Sequence, residues 1–229
     1  MMVITRLYPE NASVNIWEPI LSAIKQLKVN GVTPLYVSQR DDRSFTSIVS
    51  EAETPDAVME MLDFDGVKMQ CIRRSRTITL AKPVFFPTPS TGKKMRRYHF
   101  SIRIKPAEIR GVHQSLRKAK PTPDAELAYI ACAFGDEEIV GSMVTMDYDS
   151  AKAFLLEHIG NLSHILGFTI SRVAQSKRLV DDKTWRTITN KYPHFAMEGV
   201  KTDVKELDWT GVEGALITGA FRGDLGPGC

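Results

Sequence analysis

The chain has 229 residues, of which 43% are hydrophobic and 25% charged, with a formal net charge of +3. That balance is ordinary for a soluble globular protein and supplies core material for one large domain or two small ones. The mild basicity admits an anionic ligand or nucleic acid without requiring either. Three cysteines, Cys71, Cys132 and Cys229, lie far apart with no C-x-x-C, which argues against a zinc site or a disulfide framework. The N-terminus lacks the apolar run of a signal peptide and no stretch is long enough to span a bilayer, so a cytoplasmic location and no membrane partner are expected.

In chain order, MVITRLYP alternates at period two and reads as a strand. SVNIWEPILSAIKQL follows with Trp17, Ile20, Leu21, Ile24 and Leu27 on one helical face. VTPLYVSQ and SFTSIVSEA are strands around the turn RDDR. TPDAVMEML is a helix capped by Thr54, and VKMQCIRRSRTITLAK is a long closing strand. The order is β-α-β-β-α-β. It recurs as RYHFSIRIKP, AEIRGVHQSLRKA, AELAYIACAF, EEIVGSMVTM, YDSAKAFLLEHIGNL and GFTISRVAQSKRLV. Pro9 then aligns with Pro106, Ser47 with Ser142 and Gly66 with Gly167, with offsets that drift as loops vary.

The expected fold class is therefore α+β: two tandem βαββαβ ferredoxin-like repeats over 1–87 and 97–181, a linker at 88–96, and a C-terminal helical extension over 182–229. The linker contains Gly92-Lys93, but Pro87 and Lys94 stand where a phosphate-binding loop needs glycine and a hydroxyl. Its Lys93, Lys94, Arg96 and Arg97 read as a solvated charge run.

The second copy resembles the effector-binding and oligomerisation domain of the Lrp/AsnC regulator family. The resemblance rests on Phe134-Gly135-Asp136, the strand Ile139–Met146, the helix Asp149–Ile159, Gly167 and the strand Ile170–Arg178. In the first copy Arg40-Asp41-Asp42 replaces the Gly-Asp turn, and no helix-turn-helix precedes it. The resemblance implies a regulatory module that binds a small polar metabolite such as an amino acid. Its two copies would pair as an intrachain pseudo-dimer or in a homo-oligomer, and it would act in transcription regulation. The same element order also fits ferredoxin-like barrel enzymes, either cofactor-free monooxygenases or haem-binding chlorite-dismutase-like proteins, and this is the alternative. A second alternative is a DNA-binding regulator that reads through residues 182–229.

The candidate ligand contacts are Gly135, Asp136, Asp41 and Asp42, where glycine lets the backbone approach and a carboxylate can hold an ammonium group. Candidate nucleic-acid or anion contacts are Arg73, Arg74, Arg76, Lys177 and Arg178 on the closing strands. No catalytic residue, metal or cofactor is assigned, and an enzyme is the less favoured reading. Among His99, His113, His158, His164 and His194, only His158 suggests an axial haem ligand, and a surface helix histidine is the commoner role. Asp63-Phe64-Asp65 and Asp147-Tyr148-Asp149 read as helix caps and turns rather than paired acids.

Overall fold

The computed structural model describes residues 1–26, 31–57, 71–86, 95–133, 138–160 and 162–192. Eight strands hydrogen-bond into a closed antiparallel barrel. They are β1 (Met2–Pro9), β2 (Val32–Arg40), β3 (Thr46–Ala52), β4 (Ile72–Phe85), β5 (Arg96–Ile104), β6 (Ala125–Ala133), β7 (Glu138–Thr145) and β8 (Ile165–Arg178). Around the barrel the order is β1-β3-β2-β8-β5-β7-β6-β4, returning to β1. Each half keeps its own strands adjacent, β4-β1-β3-β2 and β8-β5-β7-β6. Two joints close the ring, β2 against β8 and β4 against β6. The long closing strands make both joints. β8 pairs with β5 through Arg172 and with β2 from Val173 onward, so one strand serves both halves.

Helices cover the outside because each strand turns alternate residues to opposite faces. In the first half α1 (Trp17–Gln26) lays Trp17, Ile20, Leu21 and Ile24 over Leu7, Val37 and Ile48. Pro19 sits in its first turn, where a missing N–H costs little. In the second half α2 (Ile109–Arg117) and α3 (Tyr148–Ile159) cover Tyr98, Phe100, Ile102 and Ile104 with Leu116, Phe154 and Leu155. A short 3-10 turn at Pro106–Glu108 precedes α2, so the helix starts later than the sequence pattern suggests. Thr54 does cap: its Oγ1 accepts from Ala57 N at 3.2 Å, at the start of a helix of which residues 55–57 are described.

The inward face is split. At one end Met2, Ile4, Leu35, Val49, Ile78, Leu80 and Val140 form an apolar plug. That end is closed by α4 (Asp182–Thr189), which buries Ile188 and sets Trp185 edge-on to Phe85 at 5.6 Å between centroids. Arg178 pairs with Asp182 beneath it and lies 5.9 Å from the Trp185 ring. The first helix of the expected C-terminal extension is thus part of the barrel wall, with its apolar face used. Residues 193–229 lie outside the described residues. No helix among the described residues is long and apolar enough to cross a membrane, which leaves β-barrel membrane proteins unaddressed.

Candidate functional site

Beyond the plug the barrel interior turns polar. On β5, Tyr98, Phe100 and Ile102 face the helices, so Arg97, His99 and Ser101 face inward. His99 lies between Ser142 on β7 and Ser171 on β8, and Ser142 in turn opposes Tyr129 on β6. Arg6 enters from β1 and Arg40 from the end of β2. Both guanidinium groups rest on Phe45, at 5.4 and 4.9 Å from its ring centre. Arg97 donates to Ser142 Oγ at 3.3 Å and lies 5.5 Å from the Tyr36 ring.

This interior carries three arginines. Among the described residues, Arg40 pairs with Asp42 at 2.9 Å, and no carboxylate pairs with Arg6 or Arg97. Arg6 Nε, Arg40 Nε, Ser38 Oγ and His99 Nε2 are buried with no hydrogen-bond partner. Burial, then the charges of Arg97, Arg40 and Arg6, push the His99 pKa down to about 3, so the ring is neutral. Burial and the neighbouring Tyr36 raise Tyr129 to about 12, keeping its phenol protonated.

A cleft of about 400 Å³ opens on the outside where β8 passes from β5 to β2. Arg40, Asp41 and Asp42 form one wall. Arg96, Tyr98, Ile170, Ser171 and Arg172 form the opposite side, and Tyr148 stands at the start of α3. The register dictates this convergence: Asp41 N donates to the Arg172 carbonyl at 3.0 Å, tying the β2 turn to β8. Burial opposes the charge on Asp42, but hydrogen bonds from Ser44 and the Arg40 charge outweigh it and hold the carboxyl below its usual range. Arg40 and Ser171 belong both to this cleft and to the barrel-facing polar centre.

Of the expected ligand contacts, Asp41 and Asp42 line the cleft, and Asp42 pairs with Arg40. Gly135 and Asp136 lie outside the described residues. The five basic residues are dispersed. Arg74 stacks over Tyr8 at 4.5 Å, Arg76 opposes Arg6 across β1 and β4, and Arg73 is exposed. Lys177 faces α1 near Trp17 and Leu21, and Arg178 is engaged by Asp182. Asp147 is the N-cap of α3, accepting from Ser150 N at 2.8 Å, a residue or two before the Tyr148 or Asp149 start read from the sequence. Asp63 and Asp65 lie outside the described residues. His158 lies on α3, its Nδ1 donating to the Phe154 carbonyl at 2.8 Å, and neither the seam cleft nor a second one near α1 reaches it. Sequence reasoning missed Arg6, Arg40, Arg97 and His99 as site residues. The signal available was the alternation R-x-H-x-S along β5, whose polar face looks solvated until the barrel closes over it.

His99 and the buried His113 give a pH signature. His113 Nε2 donates to the Lys82 carbonyl at 3.0 Å, and burial lowers its pKa to about 4. Both folded-state values lie below the unfolded value near 6.5. The unfolded chain therefore takes up protons first as pH falls. Stability is undiminished above that value and is lost from there down to about pH 4 for His113 and about pH 3 for His99, by up to about 1.4 kcal/mol per pH unit for each histidine. Urea unfolding at pH 7 and pH 4.5 checks this, and His99→Gln is expected to flatten the decline.

No protein-family model matches the chain, and no curated protein matches its sequence. Solved structures do resemble the fold. A protein assigned as a monooxygenase from Fusobacterium nucleatum superposes with a TM-score of 0.52 at 13% identity, over 78% of this chain and 94% of that one. An anthrone oxidase-like protein gives 0.54 at 7% identity, over 79% and 93%. A protein assigned as a monooxygenase from Lactobacillus acidophilus gives 0.50 at 10%, over 78% and 98%. The fold is thus the ferredoxin-like α+β class found in monooxygenase-type proteins. These likenesses overturn the ligand-sensing regulator expected from the sequence. The reason is physical: the βαββαβ order is shared by sensors and enzymes, and only the site can choose between them.

Proposed function

We propose that the protein is a cofactor-free oxygenase acting on a small, acidic, electron-rich aromatic substrate in the seam cleft. The observation that carries this reading is the cleft itself: Arg40, Arg96 and Arg172 gathered around Tyr98, Tyr148 and Ile170 in about 400 Å³. A volume of that order suits a small ligand, and aromatic walls with a few charged groups give it orientation. Three guanidinium groups disfavour a metal cation and favour a phenolate or enolate, whose charge they stabilise as it forms. Asp41, in the same wall, is placed to accept the proton. The electron-rich anion then reduces dioxygen directly. For a methylene between two aryl rings, one dioxygen molecule is consumed and both methylene hydrogens are lost. One oxygen atom enters the resulting diaryl ketone, and the other leaves with the two hydrogens as water. The carbon is oxidised by four electrons and dioxygen is reduced by four, so no further reductant is needed. The names of the similar structures, two monooxygenases and an anthrone oxidase-like protein, support this class of reaction.

The same reading includes an origin for the barrel as a doubled βαββαβ unit, with the seam in the place of a subunit interface. The matching strand orders of the two halves support it. Oxygen-electrode traces of the purified chain with anthrone and with simple polyhydroxylated aromatics test the function. Saturable uptake dependent on the protein is expected; uptake no faster than in buffer, across such a panel, counts against it.

A further inference from the structure

We propose that the polar centre of the barrel is a built site for one compact oxyanion, a carboxylate or phosphate group, held by Arg6, Arg97 and His99 with Arg40 at its margin. The site is distinct from the hydroxylated ring placed in the cleft and does not depend on turnover.

The argument begins with charge. An eight-stranded barrel has an interior just wide enough for side chains to fill or to hold one small ligand, so charged groups inside must find partners within it. Arg40 has Asp42. Arg6 has the Phe45 ring, and Arg97 has the Tyr36 ring and one serine hydroxyl. Ring contacts and a neutral hydroxyl do not neutralise two half-buried guanidinium charges. The unmet capacity is directional as well. Arg6 Nε, Arg40 Nε, Ser38 Oγ and His99 Nε2 are all buried without a partner, a concentration at odds with the near-complete pairing of buried polar atoms in folded proteins. Among these groups the arginine nitrogens are donors only, and a serine hydroxyl and one imidazole tautomer also donate. Donors converging without an acceptor describe the complement of an oxyanion, and the planar guanidinium fork fits carboxylate and phosphate oxygens in pairs.

Access follows from the seam. Arg40 and Ser171 belong to both the cleft and the interior. A ligand whose body occupies the cleft could place an acidic head inward past them, while a free inorganic anion would occupy the centre alone. Ordered water could satisfy some of the same atoms, but it would leave the charge of Arg6 and Arg97 uncompensated.

The test is thermal unfolding of the full chain at fixed ionic strength, with inorganic phosphate and with benzoate, each against added chloride. A saturable rise of several degrees is expected with phosphate, benzoate or both. Stabilisation by both assigns the centre to an acidic head group; by phosphate alone, to a free inorganic anion. Arg6→Gln and Arg97→Gln should each reduce the apparent affinity by tenfold or more. His99→Gln, which keeps a donor, should retain it. Should either arginine variant fail to fold, the His99 ring proton signals provide a second readout and must move on anion addition to the unaltered protein. Neither anion stabilising, or equal stabilisation in the arginine variants, overturns the site. Oxygen uptake is measured without added anion, so failure here and failure of the oxygenase reading remain separable.

Discussion

Gly141→Ala is expected to lower the midpoint of thermal unfolding by about 5–10 °C. Gly141 lies on β7 directly opposite Phe100 of β5, on the face covered by α2 and α3. A Cβ there would stand 2.3 Å from Phe100 Cζ and 2.7 Å from both Phe100 Cε1 and the Tyr129 carbonyl oxygen. The first two contacts could be relieved by turning the ring, but the ring is 3% exposed and packed on all sides. The third is with backbone of the neighbouring strand, which moves only if the β6–β7 ladder moves. Overpacking of this kind costs about 1–3 kcal/mol or more, and each kcal/mol shifts the midpoint by about 2–4 °C in a chain of this size. The double variant with Phe100→Leu should recover only the part due to the ring. Full recovery would place the whole conflict in the side chain, and an unchanged midpoint for Gly141→Ala alone would mean that the two strands do not meet in this register.

The second large effect is on activity. Replacing Arg96 and Arg172 together by Gln should reduce kcat/KM for the aromatic substrate by about 10²-fold or more, the usual consequence of removing a group that stabilises developing negative charge. Both side chains are exposed, and no described ion pair is lost with them, so unfolding temperature should hardly change. The division between kcat and KM is informative. A fall in kcat assigns the arginines to the forming anion, whereas a rise in KM alone assigns them to uniform binding of substrate. Tyr148→Phe in the same cleft should be mild by comparison, because it keeps the aromatic wall and removes only a hydroxyl.

Much of the fold was legible because its elements are amphipathic in the ordinary way. β1 alternates, α1 carries its apolar stripe at helical spacing, and the Thr54 and Asp147 caps stand where their side chains accept from the backbone. Closure of the barrel was not legible. It depends on β8 pairing with β2 and on β4 pairing with β6, contacts between residues well over forty positions apart that leave no local pattern. The site was obscured for the same reason. Arg97 follows Lys93, Lys94 and Arg96 in what looks like a basic linker, yet it lies on β5 and points inward. Arg6, one polar position in an alternating strand, looks solvent-facing until a second half covers it. Asp41 and Asp42 read as a turn, but the arginines that decide their chemistry arrive from β5 and β8. The sensor expected from the resemblance to a regulator domain did not foresee the three arginines that meet at the seam.

Mass spectrometry of the product formed under isotopically heavy dioxygen tests the central claim most directly. Incubated with a diaryl methylene substrate, the purified chain should yield a ketone bearing one heavy oxygen atom, and the Arg96→Gln, Arg172→Gln variant should yield little of it. A product whose oxygen comes from water, or equal label from the variant and from buffer alone, would contradict a seam cleft that hands an aromatic anion to dioxygen.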